Sequence, residues 1–222
     1  MNGQGQAQIS LPSPRSFFTP AVTAILILFV AFFILNRLDA DWAMAWLALN
    51  PSKVLQGYVW QVVTYWMIHD TATSLVLDGS VILVLGSALE RQWRSRSFVT
   101  LWLVTCGVCG LIWVVVNRIG HLSYVGTGSS AGCFGLIGAF GLLFRGQRFF
   151  FFLATVKAQT LAWILIGLGF VASLSMPIGL IWVLGAAVSF LYIKLLWKAG
   201  ARSAGLRLGQ APYRPGRFVD ID

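Results

Sequence analysis

The sequence predicts an all-α, multi-pass membrane protein, and three observations carry that reading. Of 222 residues, 58% are hydrophobic and only 10% charged, and the mean hydropathy of +0.79 lies far above that of an ordinary soluble domain. The apolar residues fall in runs long enough to cross a hydrocarbon core of about 30 Å. The cations lie between those runs and do not gather on one soluble face. The formal charge of +9 therefore reports topology, not a nucleic-acid partner.

Residues 1–16, rich in Gln, Gly and Ser with two prolines, read as a disordered polar tail. The first apolar run, 17–35, follows a single cation, Arg15, and lacks a small-residue cleavage site, so an uncleaved first helix is expected. Between 36 and 71 aromatic residues (Trp42, Trp46, Tyr58, Trp60, Tyr65, Trp66) mix with polar ones, and Pro51 and Gly57 interrupt them. An interfacial loop in the headgroup region fits this mixture, because Trp and Tyr prefer that depth. Further spans are expected at 72–89, 98–116, 130–144, 160–174 and 177–197. The membrane domain is thus a six-helix bundle over 17–197, followed by a basic, flexible tail at 198–222 near anionic lipid.

Loop charge orients the bundle. With both termini in the cytoplasm, the inner segments hold thirteen of the sixteen Lys and Arg residues, leaving Arg37, Lys53 and Arg118 outside. That asymmetry predicts cytoplasmic N- and C-termini.

The stretch 126–141, GTGSSAGCFGLIGAFG, is the centre of the chain. Gly128, Gly132, Gly135 and Ala139 recur at helical spacing and predict a flat ridge against which another helix packs closely. Ser130, near the start of that ridge, sits where a nucleophile is held beside free backbone N–H groups; the alternative is one more small residue that packs. Asp78 lies inside the second span, one turn after Ser74. A carboxyl at that depth is a functional candidate, or else is protonated or paired with a serine hydroxyl. His69 and His121 read as interfacial or surface residues. Cys106, Cys109 and Cys133 all fall in apolar runs, so neither a disulfide framework nor a metal site is expected, and the Cys106-x-x-Cys109 spacing reads as buried, inert thiols. No cofactor is implied.

Over 47–197 the order of elements resembles the rhomboid family of intramembrane serine proteases. The resemblance rests on Gly128-Ser129-Ser130-Ala131 with the following GCFGLIGAF, on VWQVVTYWMIH after the first helix, on LGSALERQWRSRSF at the second span's basic end, and on GLIWVLGAAVSFLYIKLLW near the C-terminus. It implies a six-helix fold, Ser130 as nucleophile, and an oxyanion region at Ser74, Asp78 and Gly128. It also places Trp182 where the family carries its histidine base. An indole N–H donates but accepts no proton, so Trp182 is no general base. Asp78 stands in place of an amide donor, Ala131 in place of a motif glycine, and Gln61 in place of the arginine of a Trp-Arg pair. Lys157 and Lys194 map to the cytoplasmic ends, away from Ser130, and supply no Ser–Lys dyad.

These departures predict a rhomboid-fold pseudoprotease that binds transmembrane segments of client proteins within the bilayer. Two alternatives stand beside it. One is an active intramembrane serine endopeptidase using Ser130 with Asp78 or His121 as an unconventional base. The other is a lipid or small-molecule carrier using a polar cavity around Ser74, Asp78 and Ser130. A bacterial inner membrane is the expected location.

Overall fold

The computed structural model describes residues 18–151, 154–174 and 179–204, with the backbone alone over 148–151, 154–155 and 197–204. The expected tail at 1–16 lies outside these residues, as does 205–222.

Helix α1 (Pro20–Leu38) begins on a proline, whose missing N–H is no loss in a first turn. Its remaining donors are satisfied from a distance. The Glu90 carboxylate accepts from the Ala21 and Val22 amides at 2.8 and 2.9 Å, from the Ser95 hydroxyl at 2.5 Å and from the Thr19 hydroxyl. The end of the second apolar helix thus caps the start of the first.

The interfacial segment contains short helices in place of a plain loop. These are α2 (Ala40–Trp46), α3 (Pro51–Leu55), α4 (Gln61–Thr64) and a 3-10 turn at Tyr65–Met67. Asp39 and Asn50 start α2 and α3 by accepting backbone N–H bonds. Gln61 is fully buried; it accepts from the Asn50 amide at 3.1 Å and donates to the Ala45 carbonyl at 3.0 Å, fastening α2, α3 and α4 together. Trp46 and Trp60 stack with centroids 6.1 Å apart and stay exposed beside Trp42, which suits a headgroup environment.

The second apolar helix is continuous over Ala72–Gln92. It consists of α5 (Ala72–Val81), a π-helical turn (Ile82–Gly86) and α6 (Ser87–Gln92). Then come α7 (Ser95–Ile119), α8 (Ser130–Leu143), an antiparallel hairpin of β1 (Arg148–Phe151) and β2 (Ala154–Lys157), α9 (Ala158–Ser173) and α10 (Leu180–Ala204). Among the described residues three helices reach spanning length, Pro20–Leu38, Ala72–Gln92 and Ser95–Ile119, and three shorter apolar helices follow, Ser130–Leu143, Ala158–Ser173 and Leu180–Leu196. The short α8 has 14 residues, about 21 Å at 1.5 Å per residue. It lies within the bundle between α7, α9 and α10, so its length answers to its neighbours and not to lipid.

Arg148–Phe151 and Ala154–Lys157 form a short hairpin ahead of α9, because aromatic and β-branched residues favour strands; the other named elements are helical, as expected. Helix α10 continues to Ala204, past the point where a flexible tail was expected to begin. Gly132 and Gly135 share one face of α8, as expected of the ridge, and glycines outside that ridge make further close approaches. A Cβ at Gly132 would meet Trp102 at 2.6 Å and one at Gly135 would meet Thr105 at 2.6 Å, both on α7. At Gly138 it would meet Ser189 of α10 at 2.7 Å, and at Gly141 Ala162 of α9 at 2.5 Å. Helix α8 therefore makes close approaches on three sides. Gly128 precedes the helix altogether, with φ +84°.

Candidate functional site

The site grows from two loops zipped together at the end of the bundle where α8 begins. Leu49 and Gly126 exchange both backbone hydrogen bonds at 2.9 Å. The Gly128 amide donates to the Ile68 carbonyl at 2.8 Å, and the Thr127 hydroxyl to Asp70 Oδ2 at 2.6 Å. Gly128 holds a left-handed φ there, which glycine adopts without a Cβ clash. From α1, Asn36 Nδ2 reaches the His69 carbonyl at 3.4 Å and Arg37 the Asp70 carbonyl at 2.8 Å. The loops thereby place His69 against Ser129, which holds the N-cap position of α8 without a side-chain capping bond.

Asp78 completes the cluster from α5, one turn before the π-helical segment. Its Oδ2 accepts the Ser129 hydroxyl at 2.6 Å and the Ser129 amide at 3.2 Å, and lies 3.5 Å from His69 Nε2. His69 Nε2 is also 3.3 Å from Ser129 Oγ. Ser129 and His69 are fully buried, while the Asp78 side chain keeps 14% of its exposure. The Phe29 ring packs on the imidazole with centroids 4.4 Å apart.

Hydrogen-bond bookkeeping fixes what this cluster can do. The single proton of the Ser129 hydroxyl is committed to Asp78, so the contact with His69 requires Nε2–H as donor. The bare nitrogen is then Nδ1, which is buried with no hydrogen-bond partner among the described residues. In a catalytic triad the carboxylate holds the far side of the imidazole and leaves Nε2 free to take the serine proton. Here carboxylate and serine share the same nitrogen. Two donors of Ser129 converge on one oxygen of Asp78, and the imidazole does not take the Ser129 proton.

The residues expected to converge are only partly brought together. Asp78 reaches the start of α8 but engages Ser129, leaving Ser130 half-buried with no side-chain hydrogen bond to a described residue. Ser74 is spent on helix capping: its amide donates to Thr71 Oγ1 at 3.1 Å and its hydroxyl to the Thr71 carbonyl at 2.8 Å. Trp182 does face the bundle. Its ring stacks on Trp113 with centroids 4.5 Å apart and planes within 13°, and on Tyr65 at 5.4 Å. A Cβ at Gly126 would lie 3.3 Å from the same indole, and one at Gly185, on the next turn of α10, 2.2 Å from the Ala131 carbonyl. Tyr65 donates to the Cys106 carbonyl at 2.9 Å, and burial holds its phenol well above the usual range.

A family model described as eukaryotic integral membrane protein (DUF1751) matches residues 21–207. The chain belongs to the DUF1751 family. This DUF1751 chain is also similar to two proteins of Bacillus subtilis (strain 168). It is 24% identical to rhomboid protease GluP over 82% of its own length and 41% of that protein, and 29% identical to putative rhomboid protease YdcA over 58% of its own length and 65% of that protein. It thus spans less than two thirds of either relative. A rhomboid-like, multi-pass integral membrane protein is the description these matches and the apolar helices share.

Two residues of the cluster escape a sequence reading. His69 looks interfacial because it precedes a span, yet it is buried; the apolar run YWMI directly before it is the signal that its loop packs inward. Ser129 is masked by its twin, Ser130. The helix beginning at Ser130 puts Ser129 at the N-cap, where hydroxyls concentrate.

Proposed function

We propose that this protein is a rhomboid-fold pseudoprotease that holds transmembrane segments of client proteins without cleaving them. The observation that carries the reading is Trp182, at the position where rhomboids carry their histidine, locked in a stack between Trp113 and Tyr65. It is no base, and the stack fills the space a base would need. Asp78 adds support. Its carboxylate accepts the Ser129 N–H, a backbone donor in the region that the rhomboid resemblance assigns to oxyanion binding, and so presents a permanent acceptor to that donor. Of the two bases considered for Ser130, Asp78 is engaged by Ser129 and His121 lines a separate cavity with Arg118.

The proposed topology has both termini in the cytoplasm, which leaves thirteen of the sixteen cations on the inner side. The family description is of eukaryotic proteins while both relatives are bacterial, so the expected bacterial inner membrane gains no support from the family.

The test uses the full chain in liposomes with a single-span reporter peptide carrying a fluorophore, and reads energy transfer and cleavage together. Saturable transfer with an intact reporter is expected. Cleavage abolished by Ser130→Ala would overturn the reading, and so would transfer no greater than that to an unrelated membrane protein. Activity gained in Trp182→His would identify the missing histidine as the main defect.

A further inference from the structure

At the interface end of α7, away from the Asp78 cluster, a cavity of about 420 Å³ opens between α3 and the end of α7. Its polar wall carries Arg118, His121, Gln56 and Ser123, and its apolar rim carries Leu55 and Leu122. Among the described residues nothing is hydrogen-bonded or ion-paired to the Arg118 guanidinium, which is exposed. The neighbouring Asn117, by contrast, is fully committed: Nδ2 donates to the Trp113 carbonyl at 2.9 Å and Oδ1 accepts the Tyr124 amide at 3.1 Å. The cavity therefore has a fixed wall and a free cation.

His121 is held there at a backbone cost. Its φ of +51° is left-handed, a conformation non-glycine residues seldom adopt. It is the residue just past the Gly120 cap, and the Leu122 amide returns to the Asn117 carbonyl at 2.9 Å, the closure that normally places glycine at this position. The geometry aside, the side chain that replaces glycine is one of the cavity's own.

An exposed apolar stripe on α7 ends at Ile119, the residue after Arg118. Leu111, Val115 and Ile119 recur every four residues on α7 and are 55%, 53% and 74% exposed. From these observations we infer that the cavity is a phospholipid site. The phosphodiester sits on Arg118, polar headgroup atoms meet Gln56, His121 and Ser123, and an acyl chain descends over Leu122 and the Ile119–Val115–Leu111 stripe. A guanidinium matches phosphate oxygens in a bidentate fork. The depth is right as well, because the aromatic residues of the interfacial segment mark the headgroup level on the same loop. The site stands apart from the Asp78 cluster, none of whose residues lines the cavity.

The test measures phospholipid retained per chain by mass spectrometry after purification in mild detergent and re-addition of phosphatidylcholine or phosphatidylglycerol. About one tightly held phospholipid per chain is expected. Retention should fall roughly tenfold in Arg118→Ala, the scale of one charge-assisted hydrogen bond lost, and partly recover in Arg118→Lys. Val115→Asp should lower retention with Arg118 intact. Equal retention in wild type and Arg118→Ala would overturn the site. Displacement by millimolar inorganic phosphate, with no effect of Val115→Asp, would make it a free-anion site and overturn the lipid assignment. Each variant's thermal midpoint is read alongside to detect a conformational loss in Arg118→Ala, and Gln56→Ala, which leaves the guanidinium in place, is expected to weaken retention several-fold.

Discussion

Asp78 is a single carboxylate on which both donors of Ser129 depend. Replacing it by Ala removes the acceptor of the Ser129 hydroxyl and amide in a largely buried place, where each unsatisfied group costs roughly 1–3 kcal/mol. A loss of about 3 kcal/mol is expected in reversible unfolding in mixed micelles. Asp78→Asn keeps an acceptor oxygen and should lose clearly less; equal losses would mean that the carboxylate contributes through charge alone. His121 gives the opposite sign. Glycine at a left-handed position relieves about 1 kcal/mol of Cβ strain, so His121→Gly should stabilise the fold by roughly that amount. At this scale the sequence made Asp78 legible through its depth in an apolar run. It left Ser129 and His69 illegible, because their roles depend on contacts spanning 51 and 60 residues.

Packing of α8 is where a single added side chain decides an element. Gly135→Leu must push into Thr105, which a Cβ alone would approach to 2.6 Å, and so should prevent close α7–α8 contact. Gly167→Leu on α9 meets nothing within 4 Å and should be mild. Comparing folded yield of the two variants in membranes checks this, and equal yields would remove close approach as the reason for the glycines. Glycine spacing predicted that α8 packs tightly. It did not predict which partner each face meets: Gly132 and Gly135 face α7, whereas Gly138 and Gly141 face α10 and α9. Glu90 works between elements: Glu90→Ala leaves the Ala21 and Val22 amides without their cap, and a loss of about 2 kcal/mol is expected in the same unfolding assay.

For the whole molecule, the proposed topology is checked with single introduced cysteines. The native thiols, Cys106, Cys109 and Cys133, are all buried and give little background. Gly146→Cys should react with a membrane-impermeant maleimide only after the membrane is opened, and Ser52→Cys should react in intact cells or right-side-out vesicles; the reverse pattern would invert the bundle. Among the described residues, three helices of spanning length and three shorter apolar ones follow the order read from hydropathy, and the short α8 ends within a residue of the expected 130–144. Hydropathy does not tell that α8 is buried among other helices and so need not match the bilayer.

The sequence by itself determined that this is a helical membrane protein of rhomboid-like order, with a serine-bearing glycine segment at its centre; Trp182 stands where the resemblance implies a histidine base. Those features are local: hydropathy over a span, motif spacing, and the inability of an indole to accept a proton. Only the tertiary structure decided that Asp78 engages Ser129 and not Ser130, that His69 lies buried beside them, and that Trp182 is held between Trp113 and Tyr65. Each of these contacts joins segments distant in the chain, and hydrogen-bond direction and ring stacking are properties of their meeting, absent from either segment alone.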